Sequence, residues 1–379
     1  MNSVVIAGYA RSPFQLARKG QFVRMRPDDI AAQVVRALVE RTGVAPEEIE
    51  DLILGCAFPE GEQGFNLGRI VALLSDLPLS VGGVTVNRFC GSSMQSVHMA
   101  AGAIRMGAGE AFICAGVESM TRIPMGGFNP LPNPALYKKR PGAYMDMGIT
   151  AENVARTYEI GRAEQEAFAL RSQARTRDAV AAGRLEAEIV PIQTRDGVVS
   201  VDGCPRPDTN AEGLAGLKPA FDAAHGTVTA GTSSPLTDGA ASVLVCSEAY
   251  ADRKGLPKLA RIRSIAISGC APEVMGLGPI LSSRKALERA GIAIGDVGVV
   301  ELNEAFAAQS IACVRELGLR DETLNIDGGA IALGHPLGAT GARIVGKAAQ
   351  LLGREGARYA LATQCIGGGQ GIATVLERI

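Results

Sequence analysis

Four separated stretches of this 379-residue chain carry residue types that can do chemistry. They are Val86-Asn87-Arg88-Phe89-Cys90-Gly91-Ser92-Ser93, Asn303-Glu304-Ala305-Phe306, Gly334-His335-Pro336-Leu337-Gly338, and Cys365-Ile366-Gly367-Gly368-Gly369-Gln370-Gly371. Two cysteines, one histidine and one asparagine stand among glycines. A thiolate, a base, a second proton carrier and donors for an oxyanion are what nucleophilic acyl transfer requires. One such stretch alone would be weak evidence; four in one chain are strong evidence.

Each residue has a competing reading. Cys90 precedes a helical pattern with Met94, Val97, Ala101 and Ile104 on one face. A thiol at a helix N-terminus feels the partial positive charge of unsatisfied N–H groups, which favours the thiolate. The alternative is a buried structural cysteine, the usual fate of a free thiol. His335 is one of three histidines. His98 lies two helical turns beyond Cys90, roughly 12 Å along the axis, on the apolar face, and reads as a core residue. His225 sits in a glycine-containing loop and reads as solvated, so elimination leaves His335 as the base. Cys365 follows a strand and opens a glycine-rich turn. A phosphate loop is the rival there, but the turn lacks G-x-G-x-x-G spacing and a Walker lysine. A cysteine facing a cleft can carry a proton, and the N–H groups after it can stabilise an oxyanion. Asn303 ends a strand, either as a turn former or as an amide that holds a water or a substrate oxygen.

The elements that must position these residues alternate between strand-like and helix-like, the α/β signature. Apolar runs fall at 4–7 (within a first strand that begins with Met1 and Asn2), 51–56, 111–115, 242–246, 297–302 and 359–363, with helical patterns such as 30–41 and 283–290 between them. The pattern repeats. A strand ends at Cys56, a glycine-flanked helix start follows at Cys90, and a strand runs into Ala115-Gly116-Val117-Glu118. Later a strand runs into Asn303, a helix start follows near His335, and a strand runs into Cys365. The intervals are 34 and 25 residues, then 32 and 30. Two similar α/β units facing across a shared cleft, with chemistry at the carboxyl ends of their strands, fit the rule for open α/β sheets. Residues 120–147 carry five prolines and three glycines and read as an irregular surface excursion. Helical patterns at 151–159 and 162–182 follow, and the region to about Thr227 reads as an inserted domain beside the cleft.

Composition narrows the function classes. Apolar residues at 47% and charged residues at 20% support a large packed core. A net charge of −1, no basic block longer than Lys138-Lys139-Arg140, no Trp and 4% aromatics argue against nucleic-acid binding. The eight cysteines form no C-x-x-C pair, which argues against a zinc ribbon or a thioredoxin-type site. No basic n-region precedes the first apolar run and no stretch of 18 apolar residues occurs, so neither a secretory signal nor a membrane span is expected. Free thiols in a reducing cytoplasm are the natural reading.

Together these motifs, with Gly226-Thr227-Val228-Thr229-Ala230-Gly231-Thr232-Ser233-Ser234, resemble the thiolases over nearly the whole chain. The variants Cys90 to Gln95 and Thr232-Ser233-Ser234-Pro235 are most similar to bacterial 3-ketoacyl-CoA thiolases of fatty-acid β-oxidation. The resemblance implies a thiolase fold: two related α/β halves in a five-layer αβαβα arrangement, 1–119 with 228–250 and 251–379, and a loop domain at 120–227 for CoA and acyl binding. It implies homodimers, often paired as tetramers, and a multienzyme partner carrying the preceding β-oxidation steps. By the resemblance, Cys90 is the acylated nucleophile, activated by His335, which shares an oxyanion site with a water held by Asn303. Cys365 is the acid/base, and the N–H groups of Cys90 and Gly367 form a second oxyanion site. Ser234 binds the pantetheine arm, Arg206 the CoA nucleotide, and Met147 and Met275 line the pocket. Coenzyme A is then a substrate, and no tightly bound cofactor or metal is expected. One departure stands out: the short-chain biosynthetic thiolases have His-Met-Gly where this chain has Asp146-Met147-Gly148. The rival readings are an acetoacetyl-CoA thiolase acting on short chains or in the condensing direction, a decarboxylating ketoacyl synthase (which carries a second His or an Asn at the Cys365 position), a non-catalytic acyl carrier, and a metal site built from Cys90, His335 and Cys365.

Overall fold

The computed structural model describes residues 3–379, so Met1 and Asn2 of the expected first strand lie outside it. The first half runs β1 (Val4–Arg11), β2 (Gln15–Leu16), α1 (Pro27–Thr42), β3 (Asp51–Gly55), α2 (Leu67–Leu74), β4 (Gly82–Val86), α3 (Ser92–Met106) and β5 (Ala111–Ser119). An excursion follows with α4 (Pro134–Lys139), α5 (Met147–Thr157), α6 (Arg162–Ala181), a hairpin of β6 (Ile192–Thr194) and β7 (Gly197–Val199), and α7 (Ala211–Ala215). The chain rejoins the sheet at β8 (Thr237–Ser247). The second half runs α8 (Glu248–Lys254), β9 (Ala260–Gly269), α9 (Gly278–Ala290), β10 (Val297–Leu302), α10 (Ala307–Leu317), α11 (Ala330–Leu333), α12 (Thr340–Arg354), β11 (Tyr359–Ile366) and β12 (Gln370–Glu377).

The main strands lie in the order β4-β3-β5-β8-β1-β9-β12-β11-β10. Read outward from the β1/β9 seam, β1-β8-β5-β3 and β9-β12-β11-β10 match in order and direction. In each, the last pair is parallel and the rest antiparallel. The repeat read from the sequence is therefore a repeat of topology. The seam itself is narrow, with only Val5 opposite Arg261 and Ile6 opposite Ala260.

Three apolar cores separate five layers. One lies between α1 and the outer face of the first half-sheet. The second lies between the two half-sheets and takes Val97 and Ile104 from α3 and Ile344 and Leu351 from α12. The third lies between the second half-sheet and α9 and α10. Strands β1, β5 and β8 are buried along their whole length, which is why they read as unbroken apolar runs rather than as alternation.

The excursion is pinned to both halves by buried charge. Arg11 on β1 pairs with Glu188 and Asp202, and Lys347 on α12 pairs with Glu188 and Asp327. Losing one member would leave an uncompensated buried charge. Within the proline-rich stretch α4 is a short helix capped by Asn133, which accepts the Leu136 N–H. Residues 229–234 leave the sheet and bond instead to the second half, through the Ser234 N–H to Ala305 O and the Ala307 N–H to Thr232 O.

The inner helices α3 and α12 meet at their N-termini, and glycines stand at the tightest points of that crossing. A Cβ on Gly116 would overlap the Gly338 carbonyl and the Ser93 side chain, one on Gly341 would overlap the Met94 backbone, and one on Gly55 would overlap the Ser93 N–H. The Ala342 N–H donates to Ser93 Oγ across this crossing, at 2.8 Å. Gly116→Ala is expected to lose about 1–3 kcal/mol by overpacking. Gly102→Ala, in α3 where a methyl meets nothing, should gain up to about 1 kcal/mol. Thermal melts of the two variants check both signs.

His98 is buried, as its helix face requires, with Nε2 at 2.9 Å from Thr374 Oγ1. Burial, with the Arg88 charge, pushes its pKa down to about 3 from 6.5. The unfolded chain therefore binds a proton below about pH 6.5 that the folded chain refuses until about pH 3, so this group costs stability as the pH falls through that window. The urea midpoint is expected to fall from pH 7 to pH 5, and to fall less in His98→Gln.

Candidate active site

Cys90 occupies a tight turn between β4 and α3. The Ser92 hydroxyl donates to Phe89 O (2.6 Å) and accepts the Arg88 N–H (2.9 Å), and the Asn87 side chain accepts the Phe89 N–H (2.8 Å). Phe89 has φ +42°, a left-handed conformation rarely adopted by a bulky residue. Residues at such φ persist only where their surroundings over-determine them, and they cluster at functional sites. Arg88 ties the turn to the second half, with Nη1 on Gln370 Oε1 at 2.7 Å. The Gln364 side-chain amide, one residue before Cys365, donates to the Cys90 carbonyl.

The N–H groups of Gly367 and of Cys90 itself lie close to the Cys90 sulfur. Both favour a thiolate, but burial dominates and pushes the thiol up to about 11. The helix-end effect anticipated from the sequence is thus outweighed, because α3 delivers Cys90 into an apolar pocket of Ala57, Met120 and Leu337. At rest Cys90 is a neutral thiol that needs a base.

His335 is buried, and its loop is held by the His335 N–H to Thr237 Oγ1 at 3.0 Å. Its Nδ1 lies 2.6 Å from Thr340 Oγ1, and the Thr340 hydroxyl donates its single proton to Pro336 O. This assigns the ring proton to Nδ1 and leaves Nε2 as the unprotonated, accepting nitrogen. Burial, reinforced by the Arg343 charge, pushes the ring pKa down to about 3, so the imidazole is neutral. Asn303 donates its side-chain amide to Nε2 at 3.3 Å, while its Oδ1 is buried without a partner. An Arg343–Glu301 ion pair (2.8 Å) links α12 to β10 beside both residues.

Cys365 is fully buried near the end of β11, with Met275, Ala305 and Phe306 around it and Met147 at the edge. Burial raises its thiol well above the ordinary range, and the charge of Cys90 raises it further, so the two thiols are within electrostatic reach and resist ionising together. Gly367 opens the turn to β12, and a Cβ there would lie 3.5 Å from Met147 Sδ and 3.6 Å from the Phe89 ring. Ser234 donates its hydroxyl to Ala305 O at 3.1 Å, next to this apolar wall. Asp146 caps α5 by accepting the Gly148 N–H at 2.8 Å, which gives the residue that replaces histidine a local structural role.

The structure thus brings Cys90, Gly367, Cys365, Met147 and Met275 into one neighbourhood, with Ser234 against its wall, and pairs His335 with Asn303. Arg206 does not join them: it is exposed, and its backbone bonds to Gln173 and Thr209. Sequence reasoning passed over Thr340, Gln364 and Glu118. Thr340 carried a signal in its place, five residues after His335 in the same glycine-rich stretch; the other two act only through space. Among the described residues, no three His, Cys, Asp or Glu side chains are arranged to hold a metal ion, and no helix is long and apolar enough to cross a membrane.

Residues 4–249 match the thiolase N-terminal domain and residues 256–378 the thiolase C-terminal domain. The chain is 48% identical to the 3-ketoacyl-CoA thiolase of Pseudoalteromonas translucida, 46% to that of Aliivibrio fischeri and 47% to that of Vibrio cholerae, each alignment covering 100% of both chains. With two family matches that span most of its length and full-length relatives close to half identical, the chain belongs to the thiolase family and is an acyltransferase.

Proposed function

We propose that the chain cleaves 3-ketoacyl-CoA with coenzyme A to acetyl-CoA and a shortened acyl-CoA, by ping-pong transfer through a thioester on Cys90. The observation that carries this reading is the convergence on one sulfur: two backbone N–H groups aimed at Cys90, and a second thiol within electrostatic reach of it. His335 Nε2 takes the Cys90 proton, and the thiolate attacks the 3-keto carbon. The N–H groups of Cys90 and Gly367 serve the oxyanion that forms there. The C2–C3 bond breaks, and Cys365 gives its proton to C2 of the leaving acetyl-CoA enolate. The enolate oxygen is met by protonated His335 and by a water on Asn303 Oδ1, the buried acceptor that lacks a protein partner. The Cys365 thiolate then takes the proton of incoming CoA, whose sulfur attacks the thioester. Cys90 leaves as thiolate and recovers its proton from His335.

Ser234, Met147 and Met275 are assigned to the pantetheine and acyl wall, and Arg206 to the CoA nucleotide further out. Coenzyme A is a substrate here, with no tightly bound cofactor. The role is placed in cytoplasmic fatty-acid β-oxidation, beside the enzyme that oxidises 3-hydroxyacyl-CoA. Edge strand β4 is only half-buried, and Phe65 (93% exposed) and Leu79 (80%) flank it. An open edge with exposed apolar neighbours is a site for pairing, and we assign it to a second copy of this chain.

Thiolysis should extend across 3-ketoacyl-CoA substrates from four to sixteen carbons; activity confined to four carbons would move the role to acetoacetyl-CoA metabolism. Cys90→Ala should abolish the acyl adduct seen by intact mass. Cys365→Ala should still be acylated by acyl-CoA while losing at least about a hundredfold in turnover. Wild-type thiolysis in Cys365→Ala would remove that residue from the mechanism. Sedimentation should give a dimer or tetramer for the native chain and monomer for a Phe65→Ser, Leu79→Ser double variant.

A further inference from the structure

Glu118, the next-to-last residue of β5, is a buried carboxylate that the reaction above leaves unused. Oε1 accepts the Gln63 side-chain amide (2.8 Å) and the Phe58 N–H (3.3 Å). Oε2 accepts the N–H groups of Ala57 (2.8 Å) and Gly338 (2.9 Å). Gln63 is itself fixed, donating to Phe58 O and accepting the Ser119 N–H. Ala57 and Phe58 belong to the apolar pocket around Cys90, and Gly338 lies three residues beyond His335. The His335 loop is therefore pinned at one end by Thr237 and at the other by Glu118.

We infer that Glu118 is a positioning residue of this acyltransferase, one carboxylate that fixes the His335 loop from the second half against the Cys90 pocket from the first. Four N–H donors on two oxygens can be matched only by a group that accepts at both. A glutamine would turn its own NH2 toward two of those donors. An apolar residue would orphan all four.

The charge also reaches the sulfur. Behind burial, which dominates, and against the N–H groups of Gly367 and Cys90, the Glu118 charge adds to what keeps the Cys90 thiol protonated. The titratable groups facing Glu118 are Cys56 after β3, whose thiol it also raises, and Cys90 ahead of α3. Cys365 on β11 faces Cys90 in turn, and His335 enters from the loop before α12 as a neutral ring. Neutralising Glu118 removes a negative charge and so moves the Cys90 thiol downward.

This inference rests on the reading of Cys90 and His335 given above, and its test separates the two. In full-length Glu118→Gln, kcat for thiolysis should fall about ten- to a hundredfold with KM within about twofold. The pH midpoint for iodoacetamide alkylation of Cys90, identified by peptide mass, should move down by about half a pH unit. A kcat within twofold of wild type, or an unmoved midpoint, overturns the inference. If Glu118→Gln does not fold, Gln63→Met removes one donor and leaves the carboxylate, and kcat should still fall about threefold or more at unchanged KM. An unchanged kcat there overturns it too. Failure of the underlying mechanism shows differently, as a wild-type chain that forms no acyl adduct on Cys90, and it leaves the alkylation readout intact.

Discussion

Two helix N-termini, one from each half, are brought into backbone contact, and the rest of the structure follows from what that contact demands. Gly116, Gly338 and Gly341 are glycines because carbonyls, amides and side-chain stems of the opposing half fill the space a methyl would need, and Gly55 because α3 of its own half does. The crossing sets α3 against α12 between the two half-sheets, and so sets the turn carrying Cys90 against the loop carrying His335. A site built this way inherits its precision from close packing, which resists displacement far better than side-chain bonds at a surface.

The electrostatics follow from the same burial. Taking both thiols and the imidazole out of water favours their neutral forms, which is why the thiols rise and the ring falls. Helix ends and backbone N–H groups favour anions here, but they do not overcome desolvation. The arrangement suits a reaction in which one negative charge passes from sulfur to substrate and back, with N–H donors aimed at the places where it rests.

Much of this was legible in the sequence. Cysteine, histidine and asparagine among glycines marked the site because backbone must approach backbone there, and fully buried strands such as β1 and β5 read as apolar runs. Less legible was β9, where Ala260, Ile262, Ser264 and Ala266 alternate with exposed or half-exposed residues, so a search for unbroken runs passes over it. Strand β4 is short, half-exposed and glycine-rich. The roles of Glu118 and Gln364 were invisible because their partners lie 55 to 274 residues away. The protonation state of Cys90 depended on an enclosing pocket to which Met120 and Leu337 contribute from distant segments. Arg206, placed by analogy alone, is the residue that geometry leaves apart.

The seam between the half-sheets is two residue pairs wide, yet the layer between them takes a helix from each half and closes both faces. Neither half can let go without exposing the inner face of the other. Although its strand order repeats from one half to the other, the chain has no hinge at its midpoint. It should behave as one cooperative unit, melting in a single step, and a separated half would present a large apolar sheet face to water and find its relief in aggregation.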